Sequence, residues 1–348
     1  MLQPNANTGL LMTGPRVTDF IAGVASGIVS EIRNPNGNWE QYLPEDEAQI
    51  GVYFDTMACV TFSALNDIET QCNFLFKTGR IPDEKIRALA ELGVLKDGKF
   101  NFSDRFTAKM SGTTRQGNYL VKVWDSIRND GLLPESDWPY PRDQRDPVFD
   151  WDEYYKEIPQ ELKDKAKKIL DLLEFKYEWL IPSGGLLEKQ VAEWLKMSPL
   201  QIATAVCPPW NTTEVIKGCS LGVGHATLMY KLMEGAYGIF DHYSPFRKRF
   251  AFDYPIPNIF RGMAYVKGQT PKAPTPGVDS EFAKRMGGKI LLAVEDKGAI
   301  YFVNKSDGKK IKIGRTPEEV EAFLKAVNDR KVDVLGITNA DLAKIPNV

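Results

Sequence analysis

The apolar positions of this chain keep two different periods. In the first half they recur at helical spacing. Leu65, Ile68, Cys72, Leu75 and Phe76 predict a helix with one face in a core, beginning near Cys59. Asp55 or Thr56 can serve as its N-cap, which puts Cys59 in the first turn. A second amphipathic helix is predicted from Pro82 to Leu92. The stretch from Asn101 to Tyr119 is polar and glycine-containing and predicts a loop. Leu120 to Arg128 predicts a helix stopped at Asn129-Asp130-Gly131, and an extended aromatic segment, Pro134 to Tyr140, follows. After a charged, prolyl stretch, Glu161 to Leu173 and Leu186 to Leu195 predict two more helices whose charges form solvated faces.

From Leu200 the period becomes two. Leu200 to Val206, Val223 to Met233, Tyr237 to Phe240 and Phe246 to Tyr254 read as strands. Along the second of these, Val223, His225, Thr227 and Met229 share one face, and Ala226, Leu228, Tyr230 and Leu232 the other. Helices first and antiparallel strands after predict an α+β fold with two subdomains. Residues 1–44 read as an N-terminal extension that Trp39, Tyr42 and Leu43 dock on a main domain over 45–267. A proline-rich linker follows over 268–280. A small module over 281–348 is then predicted, with strands at Ile290–Val294, Ala299–Val303 and Lys309–Ile313 and a helix capped by Thr316.

Composition narrows the function classes. Of 348 residues, 44 are basic and 46 acidic, so no basic excess points to nucleic acid, and no nucleic-acid partner is expected. No apolar run is long enough to span a membrane. The N-terminus lacks the charged start of a classical signal peptide, so the expected setting is the cytoplasm, or an exterior reached by another route. Two histidines and four cysteines without a C-x-x-C pair make a poor zinc ligand set, so no metal and no cofactor are expected. Cys207 and Cys219 flank a loop and could bridge. Four free thiols are the preferred reading for a chain without a secretion signal.

The chemistry gathers on three residues. Cys59 at a helix start would have its thiolate favoured by free N–H groups and the helix dipole. His225 lies among small residues on a strand, open to a substrate, and Asp241 ends the next strand, where a tight turn brings it beside His225. His242 is expected to point away from Asp241 as a surface or packing residue. Phe62, Phe74 and Phe76 are expected in the core, and Arg247-Lys248-Arg249 on a solvated strand or turn.

Taken together, these residues resemble the papain-like cysteine peptidases over about residues 40 to 262. Ala58-Cys59-Val60-Thr61-Phe62-Ser63 is similar to the family's nucleophile segment. Asn101 through Gly117 is similar to the stretch leading to its cleft-side glycine loop, and Trp138-Pro139-Tyr140 to the aromatic segment after it. Ser198 through Ala203 is similar to the strand before the histidine. Gly224-His225-Ala226 is similar to the histidine motif, and Phe240-Asp241-His242-Tyr243-Ser244 stands where the family has Lys-Asn-Ser-Trp-Gly. The chain departs from the family in five places, one of them the missing glycine-rich approach to the cysteine. Asp241 replaces the asparagine, and Tyr243 replaces the shielding tryptophan. Residues 141–185 read as an insertion that lengthens the Cys-to-His separation, and Tyr53 stands where the oxyanion glutamine is expected, with Gln49 the nearest glutamine.

The resemblance implies a papain-like two-subdomain fold and thiol-dependent hydrolysis of peptide bonds. Cys59, His225 and Asp241 would be catalytic and Gln49 the oxyanion donor. Gly117, Gly224 and Tyr243 would line the cleft, with a peptide or protein as substrate. Two alternatives stand beside it: cleavage of peptidoglycan peptides, and a non-catalytic structural or adhesion component of a virion or cell surface. The C-terminal module is similar to small units appended to bacterial and phage proteins, and its position behind a linker makes a docking partner an expectation for it.

Overall fold

The computed structural model describes residues 8–15, 20, 28, 31–51, 54–140, 150–182, 186–269, 290–293, 299–303, 310–314, 334–338, 341–342 and 344–345. The chain divides into two compact units. One comprises Met1–Thr13, Ser30–Lys176 and Pro182–Thr270. The other comprises Gly14–Val29, Tyr177–Ile181 and Pro271–Val348.

In the first unit the chain enters through a 3₁₀ turn, Glu40–Tyr42. The helices α1 (Cys59–Lys77) and α2 (Asp83–Glu91) follow, then a small hairpin of β1 (Leu95–Lys96) and β2 (Lys99–Phe100). Next come α3 (Asp104–Met110), α4 (Leu120–Asp130), α5 (Trp151–Tyr154) and α6 (Gln160–Lys168). The strand β3 (Leu173–Leu180), of which the first unit holds the residues up to Lys176, precedes α7 (Leu187–Leu195). The remaining strands are β4 (Leu200–Ala205), β5 (Val215–Ile216), β6 (Val223–Met233), β7 (Ala236–Phe240), β8 (Arg247–Ala251) and β9 (Ile259–Val266). They form a seven-stranded sheet in the order β3-β9-β4-β6-β7-β8-β5. Helices and a largely antiparallel sheet make this an α+β fold.

The helix α1 is the axis of this unit. It is buried from Cys59 to Leu75 on every side, not on one face as its apolar spacing predicts. The reason is that helices and sheet enclose it, and its polar side chains find partners there. Asp67 accepts from the Gly262 N–H at 3.1 Å and from Gln71 Nε2 at 2.8 Å. Glu69 accepts from the Phe102 N–H, and Asn73 from the Phe100 N–H. Gln201 of β4 donates to the Val60 carbonyl at 2.9 Å, which ties the start of α1 to the sheet. Gly262 permits this seam, because a Cβ there would stand 2.1 Å from the Trp124 ring.

Several boundaries move. The predicted loop from Asn101 to Tyr119 contains α3, because the Ser103 hydroxyl accepts from the Phe106 N–H and caps it. α1 has Ala58 as its N-cap with no side-chain cap, because Asp55 is engaged elsewhere. The predicted helix from Glu161 to Leu173 ends at Lys168, passes through a 3₁₀ turn and gives way to β3. β1, β2, β3, β5 and β9 have no counterpart among the predicted strands. Cys207 and Cys219 are bridged, which overturns the free-thiol reading for that pair; Cys59 and Cys72 are free and buried.

The second unit contains a four-stranded sheet of β10 (Ile290–Ala293), β11 (Ala299–Val303), β12 (Lys310–Gly314) and β13 (Val334–Ile337). Its order is β12-β11-β10-β13, with β13 parallel to β10. The predicted Thr316-capped helix and most of the linker lie outside the described residues.

Candidate active site

Register decides where the histidine and its neighbours fall. β4 and β6 pair Thr204 with His225 and then Ala205 with Val223, so Gly224 is a bulged, unpaired residue. A bulge re-aims a backbone group, and the Gly224 carbonyl here accepts from the Thr8 and Leu10 N–H groups at 3.0 and 3.2 Å. β6 and β7 then pair through Leu228 and Phe240, and the residue after Phe240 is Asp241. Its Oδ1 lies 2.8 Å from His225 Nε2, and both side chains are fully buried.

Cys59 is the first residue of α1, with its thiol wholly buried. Burial pushes that thiol up well beyond its ordinary range; the Ala226 N–H and the Thr8 hydroxyl favour the thiolate but are outweighed. Thr8 is therefore central. Its hydroxyl meets the Cys59 thiol and lies 2.6 Å from His225 Nδ1. The hydroxyl also reaches the Gly224 carbonyl at 3.1 Å. The Thr8 carbonyl accepts from Gln49 Nε2 at 2.9 Å. Beyond Thr8 the segment runs beside Asn118 in parallel: the Asn118 N–H donates to the Gly9 carbonyl at 2.8 Å, and the Leu11 N–H to the Asn118 carbonyl at 2.9 Å. The fit is close. A Cβ on Gly9 would stand 2.0 Å from the Met57 carbonyl oxygen, and one on Gly117 2.0 Å from the Gly9 oxygen.

Gln49 reaches the site because the chain between it and Cys59 folds back. Ile50 bridges Asp55 antiparallel, and the Thr56 N–H donates to the Gln49 carbonyl. Asp55 Oδ1 accepts from Gln49 Nε2 at 2.7 Å and from the Met57 N–H at 2.9 Å, and Asp55 Oδ2 accepts from the Tyr243 hydroxyl. Burial raises the Asp55 carboxyl above its usual range against these three donors.

Behind the His225–Asp241 pair lies a second layer. The Lys248 ammonium, fully buried, stands 2.9 Å from Asp241 Oδ2. Burial alone would raise Asp241, but the Lys248 charge and then His225 outweigh it and hold the carboxyl far below the usual range. His242 is not a surface residue. It is fully buried, its ring 4.8 Å from that of His225 and 5.5 Å from Phe62, and burial holds it neutral. The His225, Asp241 and His242 donor atoms lie within 4.8 Å of one another. The ammonium already neutralises the carboxylate there, so the group reads as an acid–base cluster rather than a cation site. Trp210, carried on the loop that the Cys207–Cys219 bridge closes, packs edge-on against His225 at 5.4 Å and over Lys248 at 5.3 Å.

No family model matches the chain, and no curated protein matches it. Solved structures similar to it include xylellain, a cysteine protease from Xylella fastidiosa, at 14% identity over 77% of this chain and 99% of that one, with a TM-score of 0.45. Digestive procathepsin L2 proteinase from Tenebrio molitor larval midgut gives 13% identity over 74% and 78%, with a TM-score of 0.46. The bromelain protease from Ananas comosus, solved with the E64 inhibitor, gives 14% identity over 65% and 97%, with a TM-score of 0.40. At this level of similarity, function has to be read from the geometry of the site.

The site thus brings together Cys59, His225, Asp241, Gln49, Gly117, Gly224 and Tyr243, each of them singled out in the sequence. Thr8, Asp55, Trp210 and Lys248 were not. Lys248 lay inside a basic run expected to be solvated, yet alternation along β8 turns it inward while Arg247 stays exposed. That alternation was the available signal. Nothing near Thr8 marks it, because only the fold carries it to His225.

Proposed function

We propose that this chain is a papain-like cysteine peptidase whose catalytic group is Cys59, His225 and Asp241, and whose cleft is closed by its own residues 8–11. One observation carries this reading: a peptide backbone already lies in the cleft in the manner a substrate requires. The Thr8 N–H meets the Gly224 carbonyl, the Thr8 carbonyl meets Gln49 Nε2, and the Thr8 hydroxyl stands between thiol and imidazole.

The chemistry follows once Thr8 gives way to a substrate. His225 Nδ1 takes the thiol proton, and Cys59 Sγ attacks the carbonyl carbon. Charge develops on an oxygen at the place where Gln49 Nε2 now holds a carbonyl. The amine leaves with the proton from His225, giving a thioester on Cys59. Water, losing a proton to His225 Nδ1, releases the acid and restores the thiol. Throughout, Asp241 accepts from His225 Nε2 and stabilises the imidazolium.

The test is hydrolysis of casein by the full chain. Thr8→Pro removes both the N–H and the hydroxyl that hold the segment. At about 1 kcal/mol for each hydrogen bond, the open fraction rises roughly 10- to 100-fold, and casein hydrolysis rises with it. Adding Cys59→Ala to that variant abolishes hydrolysis. A folded Thr8→Pro chain that cleaves nothing, or whose cleavage survives Cys59→Ala, overturns the reading.

A further inference from the structure

Asp241 carries a full negative charge where an amide would orient the imidazole equally well. The charge has a cost, since the carboxylate is buried beside a thiol that must itself become an anion. The groups facing Asp241 come from every element around it. His225 is on β6, His242 and Tyr243 follow β7, Lys248 is on β8, Tyr254 lies after β8, and Cys59 is on α1. Among these groups Lys248 brings the ammonium that stands against Asp241. Its ammonium donates to the Tyr243 and Pro245 carbonyls at 2.5 and 2.6 Å, which leaves its charge resting 2.9 Å from Asp241 Oδ2. The two carboxylate oxygens are thereby divided, Oδ2 to Lys248 and Oδ1 to His225 Nε2 and the His242 N–H.

We propose that Lys248 is a positioning residue of this site: its ammonium is the built-in counter-ion of Asp241, keeping that carboxylate ionised and turned toward His225. The pair then presents the imidazole with an oriented acceptor whose charge is largely cancelled. A thiolate on Cys59 is spared the repulsion of a bare buried carboxylate. Without Lys248, Asp241 must take up a proton or turn away, and the imidazole loses its acceptor at Nε2. Removing both charges together, by Asp241→Asn with Lys248→Met, leaves a neutral acceptor and no orphaned ion.

The inference rests on the peptidase reading only for its effect on rate, and its primary test is independent of activity. The chain has two histidines, and both are in this cluster. In the full chain labelled with 15N-histidine, the imidazole nitrogens therefore report on this site alone. The parent is expected to show His225 protonated at Nε2 in one tautomer. Lys248→Met is expected to lose that single tautomer. The double variant Asp241→Asn/Lys248→Met is expected to regain it. Both variants lose the donor to Tyr243 and Pro245, so the difference between them isolates the charge pair. A folded Lys248→Met chain with the parent's imidazole spectrum overturns the proposal. If Lys248→Met fails to fold, the double variant decides: recovery of fold and tautomer supports the pair, and failure to recover overturns it. Casein hydrolysis by the same variants made in the opened Thr8→Pro chain should fall about 100-fold with Lys248→Met and return at least about tenfold with the double substitution. Absent hydrolysis with the imidazole response intact would sink the peptidase reading and spare this one. Intact hydrolysis with no imidazole response would do the reverse.

Discussion

At the residue scale the closest tolerances lie at Gly9. Its φ is +113°, a region that suits glycine, and its missing Cβ lets the Met57 carbonyl oxygen approach to where that carbon would stand. Gly9→Ala should therefore lift residues 8–11 away from Cys59 without altering Cys59, His225 or Asp241 themselves. Alanine at positive φ costs more than about 1 kcal/mol before the clash is added. Alkylation of Cys59 by iodoacetamide, slow in the parent because the thiol is fully buried, should accelerate at least about tenfold, as read by mass spectrometry of the Cys59 peptide. An unchanged alkylation rate would mean that something other than this segment shields the thiol.

At the element scale the start of α3 carries an electrostatic load. Asp104 is buried and shares a hydrogen bond with Glu47. Burial, Glu47, Glu69 and Glu135 all raise its carboxyl well above the usual range. The folded chain therefore holds a proton there that the unfolded chain has released. Stability from this group is full below the unfolded value near pH 4 and is lost as pH rises toward the folded value. Asp104→Asn keeps a polar partner for Glu47 and removes the titration. Urea unfolding of the variant should show a gain on the order of 1 kcal/mol at pH 8 and a much smaller one at pH 5. A gain independent of pH would place the effect in packing instead.

At the scale of the first unit the disulfide loop matters more than its length suggests. Cys207–Cys219 closes a span of 12 residues, and that loop presses Trp210 against His225 and Lys248. Closing a loop of this size contributes about 3 kcal/mol by chain entropy. Cys207→Ala/Cys219→Ala should lower unfolding stability by that order. It should also shift the environment of Trp210 and His225, readable in the two-histidine spectrum. A stability loss with no change at the histidines would reduce the bridge to a staple remote from the chemistry.

What the sequence determined alone is what local periodicity and residue chemistry can fix. The spacing from Leu65 to Phe76 places a helix behind Cys59, and alternation places His225 on a strand of Val223–Met233. A two-residue turn between that strand and the next is enough to put Asp241 beside it. These contacts are close in the chain or follow a repeating pattern, so the order of residues encodes them. The tertiary structure decided the rest, because each remaining feature joins segments far apart. α1 proved buried all round only because the sheet and helices meet on both sides of it. Gln49 reaches the site through a fold-back that no propensity announces. Lys248 is buried because a buried anion awaits it, although a basic run read alone belongs in water. Thr8 stands between Cys59 and His225 through backbone hydrogen bonds, which any residue can make and no sequence pattern marks.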